Sequence, residues 1–374
     1  MDFALSAEQR LLQDSITGLL ERVAPLARVR AFAEGKEPTA HDVWTALTDL
    51  GATGVLIGEA HGGLGLSLLD AALIAEALGA FVAPAPFLAS AVLAPLAIAQ
   101  AGSPAQRDEW LPKLAAGKVI AGVAMQEAVA GARDGAGVTA ENGRLTGSSL
   151  FAIDAPGADL LIVADGSGSL HLVGAEAENV QIVPLVTIDQ TRRLAEVRLA
   201  SARAEPLAAK GAVARLRDAT FVVLAADMLG ASQAMLDKAV AYAKERRQFG
   251  RPIGSFQAVK HLCAEMAAEL EPARALVWYA AYAFDAVPSE APLMAAHAKA
   301  HLAEISRLIA RTATEVHGGI GFTDLLGLHF WFKRVGLDRQ LLGGPEDVRA
   351  HAAAIQGLSS ARESYGRASA SAEV

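Results

Sequence analysis

The chain predicts an α+β architecture in three parts: an N-terminal helical domain over residues 1–118, a middle β-barrel-like domain over 119–206 and a C-terminal helical bundle of four-helix type over 207–360. Three observations predict it. Apolar residues recur at helical spacing as far as Trp110–Leu114. From about Val119 they fall into short runs separated by Gly, Asp, Asn and Pro, the punctuation of strands. After Pro206 long alanine-rich segments return, of a length that favours an antiparallel bundle. The chain has 374 residues, enough for two or three domains and a large core.

In chain order, Ser6 can cap a helix whose stripe carries Leu11, Leu12, Ile16, Leu19, Leu20 and Val23 and which stops before Pro25. A second helix spans Asp42–Leu50 and ends at Gly51. The stretch GVLIGEAHGGLGLS begins as an apolar, strand-like piece and continues as a loop in which Gly62, Gly63 and Gly65 permit positive φ and close backbone approach. Ser67–Leu78 and Pro86–Gln100 are two more apolar helices. Strands are expected at Ile120–Met125, Gly143–Leu150, Leu160–Ala164, Leu170–Val173, Val180–Val183 and Glu196–Leu199. Their weak alternation implies strands buried on both faces. The later helices are Ala208–Arg246, Phe256–Asp285, Pro292–Val316 and Glu346–Ser360, with Trp278, Tyr279, Tyr282 and Phe284 expected in the bundle core or an interface. Residues 361–374 are small and polar and read as a disordered tail.

Composition narrows the function classes. Hydrophobic residues make up 52% and mean hydropathy is +0.30, carried largely by alanine, which points to helix packing and oligomer interfaces. No run of about 18 apolar residues is free of breakers or charges, so no membrane span is expected. The N-terminus lacks the basic and apolar regions of a signal peptide. Cys263 is the single cysteine, which excludes an intramolecular disulfide and fits a reducing cytoplasmic location. A net charge of −8 argues against nucleic acid as a partner. His297 and His301 lie at i, i+4 but have no third ligand in sight, and His61 and His317 stand outside any metal-ligand spacing, so no metal is expected.

The most informative stretch is LDKAVAYAKERRQFGRPIGSFQ, residues 236–257. A helix with Leu236, Val240 and Ala243 on one stripe is broken by Gly250 and Pro252. Two arginines, a glutamine and an aromatic thus gather at a helix end, and arginine is the side chain best suited to bidentate contact with phosphate. ERRQFGRPIGSFQ resembles the ERxxFGxxIxxFQ signature of the flavin-dependent acyl-CoA dehydrogenase family. Glu315–Phe322 (EVHGGIGF) resembles that family's QxxGGxGF, and Glu59–Leu66 (EAHGGLGL) its PExxGGxG. The three blocks stand in the family's order and at its separations, and the resemblance covers nearly the whole chain.

The resemblance implies the acyl-CoA dehydrogenase fold, FAD as cofactor, an acyl-CoA thioester as substrate and an electron-transfer flavoprotein as acceptor. It places Arg246 against the FAD pyrophosphate of a neighbouring subunit, Phe249 and Gln257 at the adenosine portion, and Gly318 and Gly319 where backbone approaches the same cofactor. Glu315 stands where the family has Gln, and a carboxylate beside a diphosphate is repulsive unless a cation intervenes. In the middle domain the family's flavin loop aligns with Met125–Asp134 and its second loop with Phe151–Asp154. Glu127 is retained there, the flavin-bonding serine and threonine are not, and Phe151 could stack in place of tryptophan.

The base is absent from both places where the resemblance puts it. Desaturation needs a positioned, partly desolvated carboxylate to remove the α-proton. The usual glutamate position holds Leu342, and the alternative one holds Thr220 with Phe221 after it. Glu346, Asp218 and Asp227 are the nearest substitutes, and Glu346 with Asp347 reads more simply as the acidic first turn of the last helix. Three readings follow. The chain is a non-catalytic or half-site subunit that completes the FAD site of a paralogous acyl-CoA dehydrogenase subunit in an α2β2 heterotetramer, with bulky substrates such as steroid side-chain acyl-CoAs. Alternatively it is a self-sufficient homo-oligomeric dehydrogenase with an unrecognised base, or a binding protein with this fold and no redox role.

Overall fold

The computed structural model describes residues 4–133, 135–209 and 211–358; the tail at 361–374 lies outside the described residues, as do the last two residues of the expected helix 346–360. The Ser6 hydroxyl accepts the Gln9 N–H at 3.1 Å, and the Gln9 side chain accepts the Ser6 N–H at 3.0 Å. This capping box starts α1 (Ala7–Val23), which buries Ile16 and Leu20. Pro25 ends it and opens α2 (Leu26–Glu34), a helix that the sequence reading passed over. Helix α3 (His41–Asp49) follows.

The strand-like piece is not a strand. Residues Ala52–Gly54 make a 3-10 turn, and the apolar Val55 and Ile57 are buried in a loop. Their backbone groups pair with the glycine loop rather than with a neighbouring strand: Leu64, Leu66 and Gly65 donate to the carbonyls of Gly54, Val55 and Ile57. Gly63 makes this possible, because a Cβ there would lie 2.1 Å from the Ile57 carbonyl oxygen. Beyond it run α4 (Leu68–Ala80), a π-helical segment Leu88–Leu93 continuing into α5 (Ala94–Ala101), and α6 (Pro104–Ala115).

The middle segment forms one eight-stranded sheet. Its elements are β1 (Ala121–Ala124), the short helix α7 (Gln126–Ala130), β2 (Gly137–Glu141), β3 (Arg144–Ile153), β4 (Leu160–Ala164), β5 (Leu170–Gly174), β6 (Val180–Leu185), β7 (Leu194–Arg203) and β8 (Glu205–Leu207). The order is β6-β7-β3-β1-β4-β5-β8 with β2 paired to β3. Pairing is antiparallel except between β1 and β4. Strand β4 is buried along its whole length, as its unbroken Leu-Leu-Ile-Val run requires. Strand β3 carries a bulge between Ser149 and Ala152, where Phe151 takes φ +53°.

The C-terminal part is helical: α8 (Ala212–Glu245), a two-residue hairpin of β9 (Arg247–Gln248) and β10 (Arg251–Pro252), α9 (Gln257–Ala286), α10 (Ala291–His317), α11 (Leu328–Gln340) and α12 (Pro345–Ile355). Helix α11 was also passed over in the sequence. By length and composition α8 is apolar enough to cross a membrane, yet 89% of its most apolar window is buried inside the fold, which makes it the core helix.

Helices α4 and α8 cross through a pair of glycines. A Cβ on Gly79 would lie 2.0 Å from the Asp227 carbonyl oxygen, and one on Gly230 would lie 1.7 Å from that of Glu76. Only hydrogen side chains let the two backbones meet at that distance. Gly230→Ala is therefore expected to cost at least about 1–3 kcal/mol by overpacking. A thermal melt with an unchanged midpoint would contradict the close crossing.

Candidate functional site

The two C-terminal signature blocks converge at one end of the bundle. Helix α8 ends in extended backbone at Arg246, whose N–H donates to the Tyr242 carbonyl at 2.8 Å. Tyr242 stacks on His317 with ring centroids 4.8 Å apart, so the end of α8 is held against the end of α10. His317 fixes its own ring through Nδ1 on the Ala313 carbonyl at 2.7 Å. Directly after it Gly318 takes φ +64°, and neither Gly318 nor Gly319 has anything within 4 Å of where a Cβ would be. Glu315 is exposed on the same last turn of α10.

The hairpin tip completes this surface. Phe249 and Gly250 both have positive φ, +50° and +77°, the pattern of a type I′ turn. Phe249 is 90% exposed and meets Phe256 edge-on at 6.0 Å, while the Arg251 guanidinium lies 4.1 Å from the Phe256 ring. Gln257, the first residue of α9, is exposed beside them. Among the described residues Arg246 and Arg247 make no ion pair. An exposed aromatic, two unpaired guanidiniums and an open glycine pair can receive an anionic, planar-ended ligand from outside the chain.

The opposite region faces inward. Leu342 lies in the turn between α11 and α12 and is 1% exposed. Its φ of +58° is unusual for a leucine. Its N–H donates to Gln126 Oε1 at 3.1 Å. Gln126 is the first residue of α7, in the stretch aligned with the flavin loop. The next residue, Glu127, accepts the Ser149 hydroxyl and, at 2.7 Å, the Leu150 N–H. Phe151 is partly buried and has the Arg133 guanidinium 5.6 Å from its ring centroid. Thr220 is fully buried in α8, its hydroxyl donating to the Leu216 carbonyl at 2.7 Å.

None of the three substitute carboxylates is free for proton transfer. Glu346 is exposed in the first turn of α12 and pairs with Arg349 at 3.3 Å. Asp218 is buried; burial pushes its carboxyl up, and the Arg217 guanidinium grips one oxygen with two donors at 2.9 and 2.7 Å. Asp227 is tied to Arg334 at 2.9 and 2.7 Å and to Arg192 at 2.9 Å. Burial pushes its carboxyl up, but the two guanidiniums outweigh this and hold it at about 2.

Sequence reasoning missed the network to which Asp227 belongs. Arg192, in the loop before β7, also donates to Asp338 of α11 at 2.9 Å. Arg334 of α11 reaches the Ala83 carbonyl and the Thr191 hydroxyl. Lys299 of α10, fully buried, donates to the Asp338 carbonyl. Asp154, at the end of β3, accepts the Ala89 N–H at 3.2 Å, and burial pushes its carboxyl up to about 6 against the pull of Arg192.

Comparison with known proteins agrees with this architecture. A model of the acyl-CoA dehydrogenase N-terminal domain matches residues 6–118, and one of the acyl-CoA dehydrogenase C-terminal domain matches residues 219–356. The chain is 32% identical to the acyl-CoA dehydrogenase IpdE2 of Mycolicibacterium smegmatis over 92% of its own length and 97% of that protein's. Among solved structures it superposes on the ChsE4–ChsE5 complex of Mycobacterium tuberculosis with a TM-score of 0.88 at 26% identity, covering 96% of this chain and 100% of that one. It also superposes on a variant of the Tcur3481–Tcur3483 steroid ACAD with a TM-score of 0.86 at 29% identity, covering 94% and 98%. The chain belongs to the acyl-CoA dehydrogenase family, whose reaction class is oxidation of an acyl-CoA.

Asp154 supplies a pH test. Its folded value of about 6 lies above the ordinary carboxyl value near 4. Its favourable contribution is thus complete below about pH 4 and is lost as pH rises through 6. Asp154→Asn does not titrate, so its thermal midpoint should gain on that of the native protein between pH 4 and 6.5. A constant difference across that window would contradict the raised value.

Proposed function

We propose that this chain is the half-site subunit of a heteromeric FAD-dependent acyl-CoA dehydrogenase, working with a paralogous subunit that carries the catalytic glutamate. The observation that carries the reading is Leu342. At the place the resemblance gives to the base stands a buried apolar side chain in a turn sealed by Gln126. Thr220 in the alternative place is equally enclosed. A group that removes an α-proton must reach it within about 3 Å, and the carboxylates nearest the two expected places, Glu346, Asp218 and Asp227, are each engaged by an arginine.

The bundle end has the opposite character. Arg246 is the residue that would meet the FAD pyrophosphate of the partner, with Phe249 and Gln257 at the adenosine and the backbone of Gly318 and Gly319 close to the phosphates. Exposure of all five and the open space above the two glycines support this. FAD bound there would supply hydride acceptance at the partner's reaction centre. This chain's residues bind and orient the dinucleotide; they move no proton. Glu315 on the last turn of α10 is exposed, where water screens its charge from a nearby diphosphate. Phe151, named by the resemblance as a stacking residue, is partly buried in this chain and would serve its own flavin position rather than the partner's.

Two of the similar structures bear paired names, one described as a complex and one as a steroid ACAD. They support a paralogous partner and a bulky acyl-CoA substrate. Electron transfer to a flavoprotein carrier follows from the family resemblance.

The decisive experiment is flavin absorbance with mass by light scattering, on the chain alone and co-expressed with a paralogous subunit. About one FAD per pair, with little on the chain alone, is expected. A yellow oligomer of this chain with one FAD per subunit that bleaches with an acyl-CoA would refute the reading. Arg246→Ala should lower the FAD content of the assembly several-fold without dissociating it; unchanged flavin occupancy would remove Arg246 from the site. Neither Leu342→Glu nor Thr220→Glu should create full activity, because the flavin loops have also diverged; a rate like that of a complete dehydrogenase in either variant would show that only the base was missing.

A further inference from the structure

We propose that Asp227 and Asp338 form a buried proton site: they hold one proton between them at neutral pH, and that proton is part of the link that joins α11 to α8. Such a site exists whether or not the chain works as a half-site subunit.

Its geometry is that of two acids on one base. Both side chains are buried, Asp227 in α8 and Asp338 in α11. Arg192 Nη2 lies 2.9 Å from Asp227 Oδ2 and 3.5 Å from Asp338 Oδ2, while its Nε donates to Asp338 Oδ1 at 2.9 Å. The two carboxyls thus crowd one guanidinium and meet each other. Carboxylates accept hydrogen bonds and donate none, so two that meet in a dry interior either repel or share a proton. The donors are divided unequally. Asp227 receives Arg334 Nε and Nη2 at 2.9 and 2.7 Å besides Arg192. Among the described residues the Asp338 carboxyl has Arg192 alone. Lys299, the other cation beside it, donates to the backbone carbonyls of Asp338 and Arg339 and not to the carboxyl. The negative charge therefore stays on Asp227 and the proton on Asp338.

The charges packed around the site agree. Arg192 and Asp189 face it from the loop before β7, Asp154 from the end of β3, Lys299 from α10 and Arg334 from α11. With Asp227 and Asp338, four carboxyls meet three cations. Farther out, Arg339 is paired with Glu304 and Arg193 is faced by Glu37, so neither changes the balance. A buried cluster one cation short is relieved by keeping one proton. Burial pushes the Asp338 carboxyl up to about 8, with the Asp227 carboxylate adding to the push and the arginines opposing it. Burial also pushes Lys299 down to about 7, which thins the positive charge further as pH rises. The folded value of Asp338 lies above the ordinary carboxyl value near 4. Its favourable contribution is complete below about pH 4 and is lost as pH rises through 8, so the α8–α11 link weakens in alkaline solution.

The test is infrared spectroscopy of the full chain carrying isotope-labelled aspartate, together with thermal melts across the same pH range. The native chain should show a protonated carboxyl band at pH 7 that disappears as pH rises through 8. Asp338→Asn keeps an acceptor for Arg192 and gains a fixed donor for Asp227. It should lack the titrating band, and its thermal midpoint should gain on the native one from pH 5 to 8 and hold level above. The folding equilibrium behind that gain shifts about tenfold per pH unit, the signature of one proton. Absence of the band at pH 7, or the same titrating band in Asp338→Asn, overturns the proposal. So does a midpoint difference that stays constant from pH 5 to 8. If Asp338→Asn does not fold, Asp154→Asn and Asp218→Asn take its place, since they remove the other aspartates that burial pushes up. The titrating band should survive in both, and its loss in either overturns the proposal.

Discussion

The buried pairing of Arg334 with Asp227 is the contact on which the rest depends. Asp227 lies at the middle of α8, the core helix, and Arg334 on α11 reaches it with two nitrogens. The same guanidinium touches the Ala83 carbonyl, from the N-terminal helices, and Thr191, from the loop that leads into β7. Arg192 beside it joins Asp227 to Asp338. One cluster of charges thus fixes helices, sheet and bundle relative to one another. A buried pair of this kind is weak evidence for net stability, but losing one member strands the other and costs about 3–5 kcal/mol. Its effect is to specify an arrangement. Apolar layers can slide, whereas a two-pronged buried ion pair has one register.

That fixed register gives the two halves of the site opposite fates. The bundle end holds its groups outward, with arginines unpaired and glycines uncovered. On the sheet side Gln126 and Glu127 are bonded to neighbours in the same chain. Both patterns come from the same rule, that buried polar groups find partners. Where the chain supplies the partners, a site is closed; where it does not, a site is left for another molecule.

Much of this was legible in the sequence. The helix–strand–helix order followed from the change of apolar spacing, and the long helices α8, α9 and α10 were visible within a few residues. The convergence of Arg246 with Gly318 was legible only as a resemblance, since the Tyr242–His317 stack that brings them together joins distant segments. The run Val55–Ile57 has the composition of a strand, but the backbone of the glycine-rich loop supplies its hydrogen bonds, and composition does not reveal a bonding partner. Helices α2 and α11 were readable in principle. Leu328, Trp331 and Val335 recur at helical spacing, and Pro25 marks a helix start. The Gln126–Leu342 bond and the Arg192–Asp227–Arg334–Asp338 cluster were not readable, because each depends on residues that only folding brings within reach.

Helix α8 carries both ends of this story on a single rod. Thr220 and Arg246 are 26 residues apart on or next to it (246 − 220 = 26), a span of roughly 39 Å at helical rise. That is longer than an extended flavin dinucleotide, so no one cofactor touches both ends. Substitutions so far apart act almost independently. A change in the packing around buried Thr220 therefore leaves the exposed surface at Arg246 as it is, and the two ends of one helix can vary separately.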